Sequence, residues 1–191
     1  MRVLRSVDHR RMAWKNGGGE TVEIAVHPAE ADLAGFDWRV SMAHVASDGP
    51  FSRFPGIDRT LAILSGAGLR LDIDGLGRHD LAPGDAPLAF PADVATTAVL
   101  KDGPITDLNV MTRRGALRHR VERRTVADAL ALRVAAPWIL LLPRDPLTVT
   151  AETGIPVALA AGDALLLEGD TGPLTLAAER AALFVVTIEG A

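Results

Sequence analysis

Short apolar segments, separated by glycine and proline, follow one another along almost the whole chain. Most are of strand length and are rich in β-branched residues or alternate between apolar and polar positions, as β-strands do. The segments predicted to be strands are 21–26, 36–45, 60–64, 69–73, 87–90, 95–100, 138–142, 147–150, 157–159, 164–167 and 183–188. Helix is favoured only at 28–33 and 126–134, where alanine and leucine are frequent. The pattern predicts an all-β protein with little helix.

One segment of the chain recurs. The sequence LAPGDAPL at 81–88 returns in the second half of the chain as LAAGDALL at 159–166. In both copies a strand reaches a Gly-Asp turn and a second apolar strand leaves it. A common hairpin turn arising twice by chance and a duplicated β-unit both explain the match. The first copy, closing on Phe90-Pro91, also resembles the second conserved segment of cupins, so a pair of such units implies a bicupin, that is, an RmlC-like jelly roll or double β-sandwich.

Charge and composition limit the partners and the cellular location that we expect for the protein. The formal net charge of −4 argues against broad binding to nucleic acid or to an anionic membrane. Positive charge is concentrated at 112–124, with six arginines and one glutamate, and both a nucleic-acid patch and a solvated strand paired with acidic neighbours fit that segment. There is no cysteine, no apolar signal segment at the start and no apolar run long enough to span a bilayer, so we expect a cytoplasmic protein.

A run of three glycines is the first candidate for a ligand loop. Gly17, Gly18 and Gly19 follow Trp14-Lys15-Asn16, and a chain keeps consecutive glycines where backbone takes positive φ or approaches another group closely. Exposed amides of such a loop can cradle an anion, although a flexible turn has the same sequence. The loop matches neither a P-loop nor a dinucleotide fingerprint.

The predicted strand 36–45 separates two sets of side chains. Alternation sends Phe36, Trp38 and Val40 to one face, which we assign to the core, and Arg39 and Ser41 to the other. An arginine in mid-strand is either exposed to water or aimed into a cavity, where its forked donors suit a carboxylate.

Two further segments supply candidate ligand groups. The loop at 49–59 carries Phe51, Ser52, Phe54 and Arg59, and the two phenylalanines either plug a barrel end or form a pocket wall. In the strand at 107–111, Asp107 and Asn109 share a face, and the amide of Asn109 both donates and accepts hydrogen bonds. We predict that Arg39 and Arg59 point into one pocket and clamp a carboxylate there.

A metal centre is not expected. The five histidines are widely separated along the chain, at positions 9, 27, 44, 79 and 119, and no two of them form an HxH or HxxxH motif. Neither is there a nucleophile elbow, and tyrosine is absent. We expect no metal and no organic cofactor, while acid–base chemistry by a lysine, histidine or carboxylate stays open.

The order of these motifs resembles one known family. WKNGGGET at 14–21, FxWRVSxA at 36–43, GPFSxFPGxDR at 49–59 and DxNxM at 107–111 are similar to the motifs of the HutD/Ves family, over residues 1 to about 114. The resemblance implies a bicupin fold, with residues 1–114 as a cupin-like unit carrying the site and 115–191 as a second unit packed on it. It also implies a set of ligand-binding residues: Trp14, Asn16, Gly17, Gly18, Gly19, Arg39, Ser41, Phe51, Ser52, Arg59 and Asn109.

The same resemblance implies a role. Members are thought to limit histidine utilisation by binding an intermediate such as urocanate or a formyl- or formiminoglutamate, with no established catalytic step. We therefore expect a non-catalytic protein that binds a small carboxylate; the alternatives are a metal-independent isomerase or hydrolase acting on a small acid, and a purely structural protein. Exposed strand edges make a homodimer the common arrangement for such folds.

Overall fold

The protein is almost entirely β-structure. The computed structural model describes residues 1–15, 17–152, 154–169 and 172–191. Within them lie seventeen strands: β1 Arg2–Leu4, β2 Arg10–Ala13, β3 Gly19–His27, β4 Trp38–Val45, β5 Gly49–Pro50, β6 Ile57–Ser65, β7 Leu69–Ile73, β8 Gly77–Leu81, β9 Leu88–Pro91, β10 Thr96–Leu100, β11 Ile105–Arg113, β12 Leu117–Leu132, β13 Trp138–Pro143, β14 Leu147–Ala151, β15 Val157–Leu159, β16 Ala164–Glu168 and β17 Leu174–Gly190. The described residues contain no α-helix and one 3-10 turn, Ser6–Asp8. The all-β prediction is confirmed.

Both predicted helices are wrong. Residues 28–35 form turns after the cis peptide bond between His27 and Pro28. Residues 126–132 belong to β12, which pairs with β17. Burial at Val126 and Leu132, with exposed or half-exposed residues between them, shows that sheet pairing overrides the helix propensity of the alanines and leucines there.

The chain forms two compact units. The terminal unit comprises Met1–His9 and His119–Gly190, and the central unit comprises Arg10–Arg118 with Ala191. The first residues join the terminal unit because β1 pairs antiparallel with β16. The predicted boundary at residue 114 differs from this division, because it places the first residues with the central strands and not with the last ones. That the two units are each cupin-like modules stays a prediction of the sequence.

The strands of the two units correspond under the shift that carries the first Gly-Asp repeat, 81–88, onto the second, 159–166. The same shift converts the bounds of β7, Leu69–Ile73, into those of β14, Leu147–Ala151, and the start of β11 at Ile105 into Leu183, within β17. Strand pairing corresponds as well: β7 pairs with β8 as β14 pairs with β15, and β6 pairs with β9 as β13 pairs with β16. This agreement extends far beyond the repeated segment itself, so duplication explains it better than a chance turn.

The two Gly-Asp turns have the same hydrogen bonds. Oδ2 of Asp85 accepts from the N–H of Ala82 at 2.8 Å, and Oδ2 of Asp163 accepts from the N–H of Ala160 at 3.0 Å. The glycine before each aspartate has a φ of +102° or +83°, which only glycine adopts without strain. Each turn therefore connects equivalent strands by the same chemistry.

One sheet of the central unit positions the candidate site residues. Its strand order is β2-β3-β4-β11-β6-β9, and a second sheet has the order β5-β10-β7-β8. Apolar side chains of both sheets form a buried core that includes Leu61, Leu71 and Phe90. The terminal unit has its own apolar core, on a seven-stranded sheet.

The basic segment at 112–124 forms ion pairs with acidic neighbours. Arg114 lies 2.7 Å from Asp58 and 2.9 Å from Asp93, while Arg120 and Arg124 both contact Glu122. These contacts favour the solvated strand over a nucleic-acid patch. Among the described residues, no helix is long and apolar enough to cross a membrane.

Candidate functional site

A cavity of about 630 Å³ lies in the central unit. Its walls combine aromatic, small and charged side chains, a composition suited to a small organic ligand that carries charge. The lining residues on which the argument rests are Trp14, Lys15, Arg39, Ser41, Phe51, Ser52, Phe54, Arg59, Asp107, Asn109 and Met111.

Three neighbouring strands set the spacing of the polar groups. Met111 on β11 lies opposite Arg39 on β4 and opposite Arg59 on β6, so the two arginines lie in one row across the sheet. Further along β11, Asp107 lies opposite Ala43. Because alternate side chains of a strand share a face, the alternation of β4 and β11 carries Arg39, Ser41, Asp107 and Asn109 all to the cavity.

Arg59 is buried against aromatic rings. Only 4% of the residue is exposed, and its guanidinium carbon lies 5.2, 5.4 and 5.8 Å from the ring centres of Phe51, Phe54 and Phe90. Burial lowers the pKa of Arg59 to about 10, against a raising influence from Asp107 and a further lowering by Arg39. The guanidinium is therefore charged at neutral pH.

The hydrogen bonds of Arg59 are incomplete. Its Nη2 donates to the carbonyl oxygen of Ser52 at 3.2 Å, whereas its Nε is buried without any hydrogen-bond partner. A buried charged donor without a partner is unfavourable. Arg59, which lines the cavity, thus has an unused donor and no direct carboxylate partner among the described residues.

Arg39 already has a carboxylate partner. Its Nε lies 2.6 Å from Oε2 of Glu23, and the two side chains are 6% and 11% exposed. Its Nη1 also lies within 3.5 Å of the hydroxyl of Ser41. Glu23 supplies the counter-charge that a buried arginine requires. Burial of Arg39 therefore gives no reason for it to hold a ligand.

A buried carboxyl group lies on the same face. Asp107 is 1% exposed, and its Oδ1 accepts a hydrogen bond of 2.6 Å from Nδ2 of Asn109. Burial raises the pKa of Asp107 to about 7, although the Arg59 charge, the Ala43 N–H and the Asn109 amide all act to lower it. The cavity therefore contains an acid that titrates near neutral pH.

The glycine run lies beside the cavity and shapes its wall. Trp14 and Lys15 line the cavity, and the indole Nε1 of Trp14 donates to Oγ1 of Thr21 at 2.8 Å. A Cβ on Gly19 would overlap the carbonyl oxygen of His44 and crowd the Trp14 ring. Gly19 therefore allows a close approach of backbone and ring.

The structure brings most of the predicted site residues together. Those that line the cavity are Trp14, Arg39, Ser41, Phe51, Ser52, Arg59 and Asn109. Gly17, Gly18 and Gly19 are described but do not line it, and Asn16 lies outside the described residues. That these residues bind a ligand stays a prediction.

Three contributors were absent from the predicted set: Asp107, Glu23 and Phe90, which join the site through their contacts with the predicted residues. Phe54, which the sequence offered with Phe51 as a pocket wall, lines the cavity. A signal existed for Asp107, since alternation placed it on the face of Asn109. For Glu23 and Phe90 there was none, because their contacts depend on strands that are distant in sequence.

Two of the charged cavity residues have apolar counterparts in the terminal unit. Under the shift that relates the two Gly-Asp repeats, Arg59 corresponds to Pro137, and Asp107 corresponds to Val185, which is 2% exposed within the apolar core. The duplicated fold thus carries the charged cavity residues in one unit. The described residues also contain no group of three His, Cys, Asp or Glu side chains that could hold a metal ion.

Comparison with known proteins identifies the family. The sequence profile of the HutD family matches residues 6–185. The chain belongs to the HutD family. A relative in Pseudomonas putida, described as an uncharacterized 21.2 kDa protein in the hutC 3' region, is 35% identical over 89% of this chain and 88% of its own. The family resemblance read from the motifs is confirmed.

Solved structures of HutD-like proteins have the same fold. HutD from Pseudomonas fluorescens SBW25, in a formate condition, is 31% identical and superposes with a TM-score of 0.82 over 100% of this chain and 98% of its own. The conserved protein of unknown function PA5104 from Pseudomonas aeruginosa PAO1 is 35% identical, with a TM-score of 0.92 over 98% of each chain.

The cupin expectation is also confirmed at the level of fold. A cupin 2 conserved barrel domain protein from Leptotrichia buccalis superposes with a TM-score of 0.63 over 97% of this chain and 100% of its own, at 12% identity. Such low identity carries information about the fold alone.

Proposed function

We propose that this protein binds a small carboxylate in the cavity of the central unit and acts as a non-catalytic modulator of histidine utilisation. One observation carries the proposal: Arg59 lines the cavity, and its buried guanidinium has an unpartnered Nε and no carboxylate within ion-pair distance among the described residues.

The charges around the cavity support an anionic ligand. Arg39 is neutralised by Glu23 at 2.6 Å. Arg59 has no acidic side chain within ion-pair distance among the described residues; its one direct polar contact is the carbonyl of Ser52. A carboxylate docked on the free edge of Arg59 would supply both a counter-ion and an acceptor for Nε.

The walls indicate what the remainder of the ligand must be. The rings of Phe51 and Phe54 face the guanidinium and leave its edge for hydrogen bonding, as stacked arginines do. Asn109 and Ser41 provide polar contacts for an amide, formyl or imidazole group. The cavity volume of about 630 Å³ admits a molecule of the size of urocanate or of a formyl- or formiminoglutamate.

The family context supports that choice of ligands. The solved relative named HutD and the relative in the hutC 3' region connect this family with genes of histidine utilisation. Intermediates of that pathway are small carboxylates, which match the chemistry of the cavity.

Calorimetric titration tests the proposal. Wild-type protein is titrated with urocanate, N-formyl-L-glutamate and N-formimino-L-glutamate, and we expect at least one to bind with a stoichiometry of one per chain. Arg59→Met, which keeps the bulk of the side chain but not its charge, should weaken binding by roughly 30-fold or more. The matched control is Arg53→Met, because Arg53 is exposed in the same loop and does not line the cavity.

A metal-independent enzyme is the second candidate, and Asp107 is the observation that favours it. A buried acid whose pKa is raised to about 7 suits general acid–base catalysis. Chromatography of the same mixtures after prolonged incubation separates the two functions. Unchanged compounds support a binding protein, and product that disappears in Asp107→Asn supports an enzyme.

A further inference from the structure

We propose that the cavity takes up its carboxylate together with one proton, and that Asp107 holds this proton. The inference deepens the proposed function and rests on it. It assigns to Asp107 a role in binding that depends on its burial in the wall of the cavity that Arg59 also lines.

Asp107 is placed where it cannot be solvated in its charged form. It is 1% exposed, and its side-chain contacts are the 2.6 Å hydrogen bond from Asn109 and the N–H of Ala43. No arginine lies within ion-pair distance of it among the described residues. Two hydrogen bonds without an ion pair only partly offset the desolvation of a carboxylate.

The strands and loops around Asp107 carry six charged or titratable groups among the described residues. The charged or titratable groups are Arg59 on β6, Arg39 on β4, Glu23 on β3, Lys15 after β2, Asp48 before β5 and, on the exposed face of β4, His44. Arg39 and Glu23 cancel each other in a direct ion pair. Lys15, Asp48 and His44 are exposed and screened by solvent. The buried charged groups without a direct ion-pair partner among the described residues are therefore Arg59 and Asp107.

A bound anion changes this balance. In the empty cavity, the positive charge of Arg59 stabilises the ionised form of Asp107. A ligand carboxylate on Arg59 neutralises that charge and adds a second negative charge next to the aspartate. Two carboxylates in one low-dielectric cavity repel each other, and protonation of one relieves the repulsion.

Protonated Asp107 also gains a function that the ionised form lacks. Its hydroxyl becomes a hydrogen-bond donor, whereas an ionised carboxylate only accepts. A ligand oxygen that faces it then gains a hydrogen bond in place of a repulsion. The raised pKa of Asp107 in the free protein, at about 7, keeps the required proton accessible at neutral pH.

Proton linkage measured by calorimetry tests the inference. The probe is N-formyl-L-glutamate, whose two carboxyl groups stay ionised from roughly pH 6.5 to 9. Titrations in buffers of different ionisation enthalpy should show one proton taken up per ligand above about pH 7, and affinity should fall about tenfold for each pH unit there. Asp107→Asn, which is permanently neutral, should bind without proton uptake and with an affinity that does not change over that range.

Asp102→Asn is the matched control, because Asp102 is exposed in the turn after β10 and does not line the cavity; it should behave as the wild type does. If Asp107→Asn does not fold, the ¹³C carboxyl signal of Asp107 in wild-type protein, followed against pH with and without ligand, replaces it. A pKa of Asp107 that rises from about 7 to about 9 or above on binding supports the inference, and a pKa that does not rise contradicts it.

Each contrary result has a definite meaning. Binding without proton uptake and with a pH-independent affinity overturns this inference and leaves the proposed function intact. Proton uptake that persists unchanged in Asp107→Asn overturns the assignment to Asp107. Absence of binding by wild-type protein overturns the inference together with the proposed function.

Discussion

Nε of Arg39 lies 2.6 Å from Oε2 of Glu23, and both side chains are almost wholly withdrawn from water. The contact joins β4 to β3, since Glu23 is paired with Ser41, whose side chain shares a face with that of Arg39. The ion pair fixes the position of Arg39 in the cavity wall and leaves Arg59 as the arginine of this cavity without a carboxylate partner.

Breaking the Arg39–Glu23 pair should destabilise the protein strongly. Arg39→Met or Glu23→Gln leaves a buried charge without its partner, and we expect the free energy of unfolding to fall by about 3–5 kcal/mol in each single variant. The double variant should lose less than the sum of the two. Urea denaturation of the three variants measures the coupling.

The exposed pair Arg78–Asp72 provides the control. Its atoms lie 3.2 Å apart, but the side chains are 76% and 59% exposed. Arg78→Met should change the free energy of unfolding by less than about 1 kcal/mol. Equal effects at the two pairs would mean that burial of Arg39 and Glu23 does not determine their contribution.

The two equivalent turns should differ in their contribution to stability. Asp163 accepts hydrogen bonds from the N–H groups of Ser6 and Ala160 and from Arg5, at 2.9, 3.0 and 2.7 Å, and is 3% exposed. Asp85 is exposed and accepts one, from Ala82. Asp163→Ala should therefore lower the free energy of unfolding by about 2–4 kcal/mol, and Asp85→Ala by about 1 kcal/mol or less. Chemical denaturation of both variants measures the two losses in the free energy of unfolding. A larger loss for Asp85→Ala than for Asp163→Ala would contradict this prediction.

Stability should depend on pH through Asp107. Its pKa in the folded protein, about 7, is above the ordinary value of 3.8, so the folded state binds the proton more tightly than the unfolded state. The stability that the protonated group provides is complete below about pH 4 and is lost as pH rises to about 7, by up to about 1.4 kcal/mol per pH unit. Asp107→Asn should remove this dependence. We expect the variant to gain stability relative to wild type between these pH values, and parallel stability curves would contradict the assignment.

The protein as purified should contain no stoichiometric transition metal. No two histidines have the spacing of a metal-binding pair in the sequence, and no cluster of three potential ligands is present among the described residues. Elemental analysis of protein prepared without chelator measures the content directly. One equivalent of zinc, iron or manganese per chain would be the opposite result and would favour the enzymatic alternative.

The strands could be predicted from the sequence because their pattern is local. Alternation in 36–45 separates Trp38 from Arg39, and the structure places Arg39 on the cavity face. The prediction at 126–134 failed because alanine and leucine favour helix locally, while pairing of β12 with β17 decides the structure. The two strands are separated in the sequence, so the local pattern of residues does not reveal their pairing.

The site could be predicted as a set of residues but not as a set of contacts. Motifs indicated Arg39 and Arg59 equally, and nothing local distinguished them. The difference arises from Glu23, which is brought to Arg39 by β3–β4 pairing. Likewise, Phe90 reaches Arg59 only because β9 pairs with β6. Which arginine is left for a ligand is therefore a property of the tertiary structure.

The central claim is that Arg59 holds the ligand carboxylate through its unpartnered Nε. The most direct measurement is an NMR titration of the arginine Nε–H signals in wild-type protein, using the carboxylate that binds best by calorimetry, with the Arg59 signal assigned from Arg59→Lys. A new charge-assisted hydrogen bond should move the Arg59 Nε–H signal in proportion to occupancy, while that of exposed Arg53 stays in place. Saturated binding with an unmoved Arg59 signal would contradict the account.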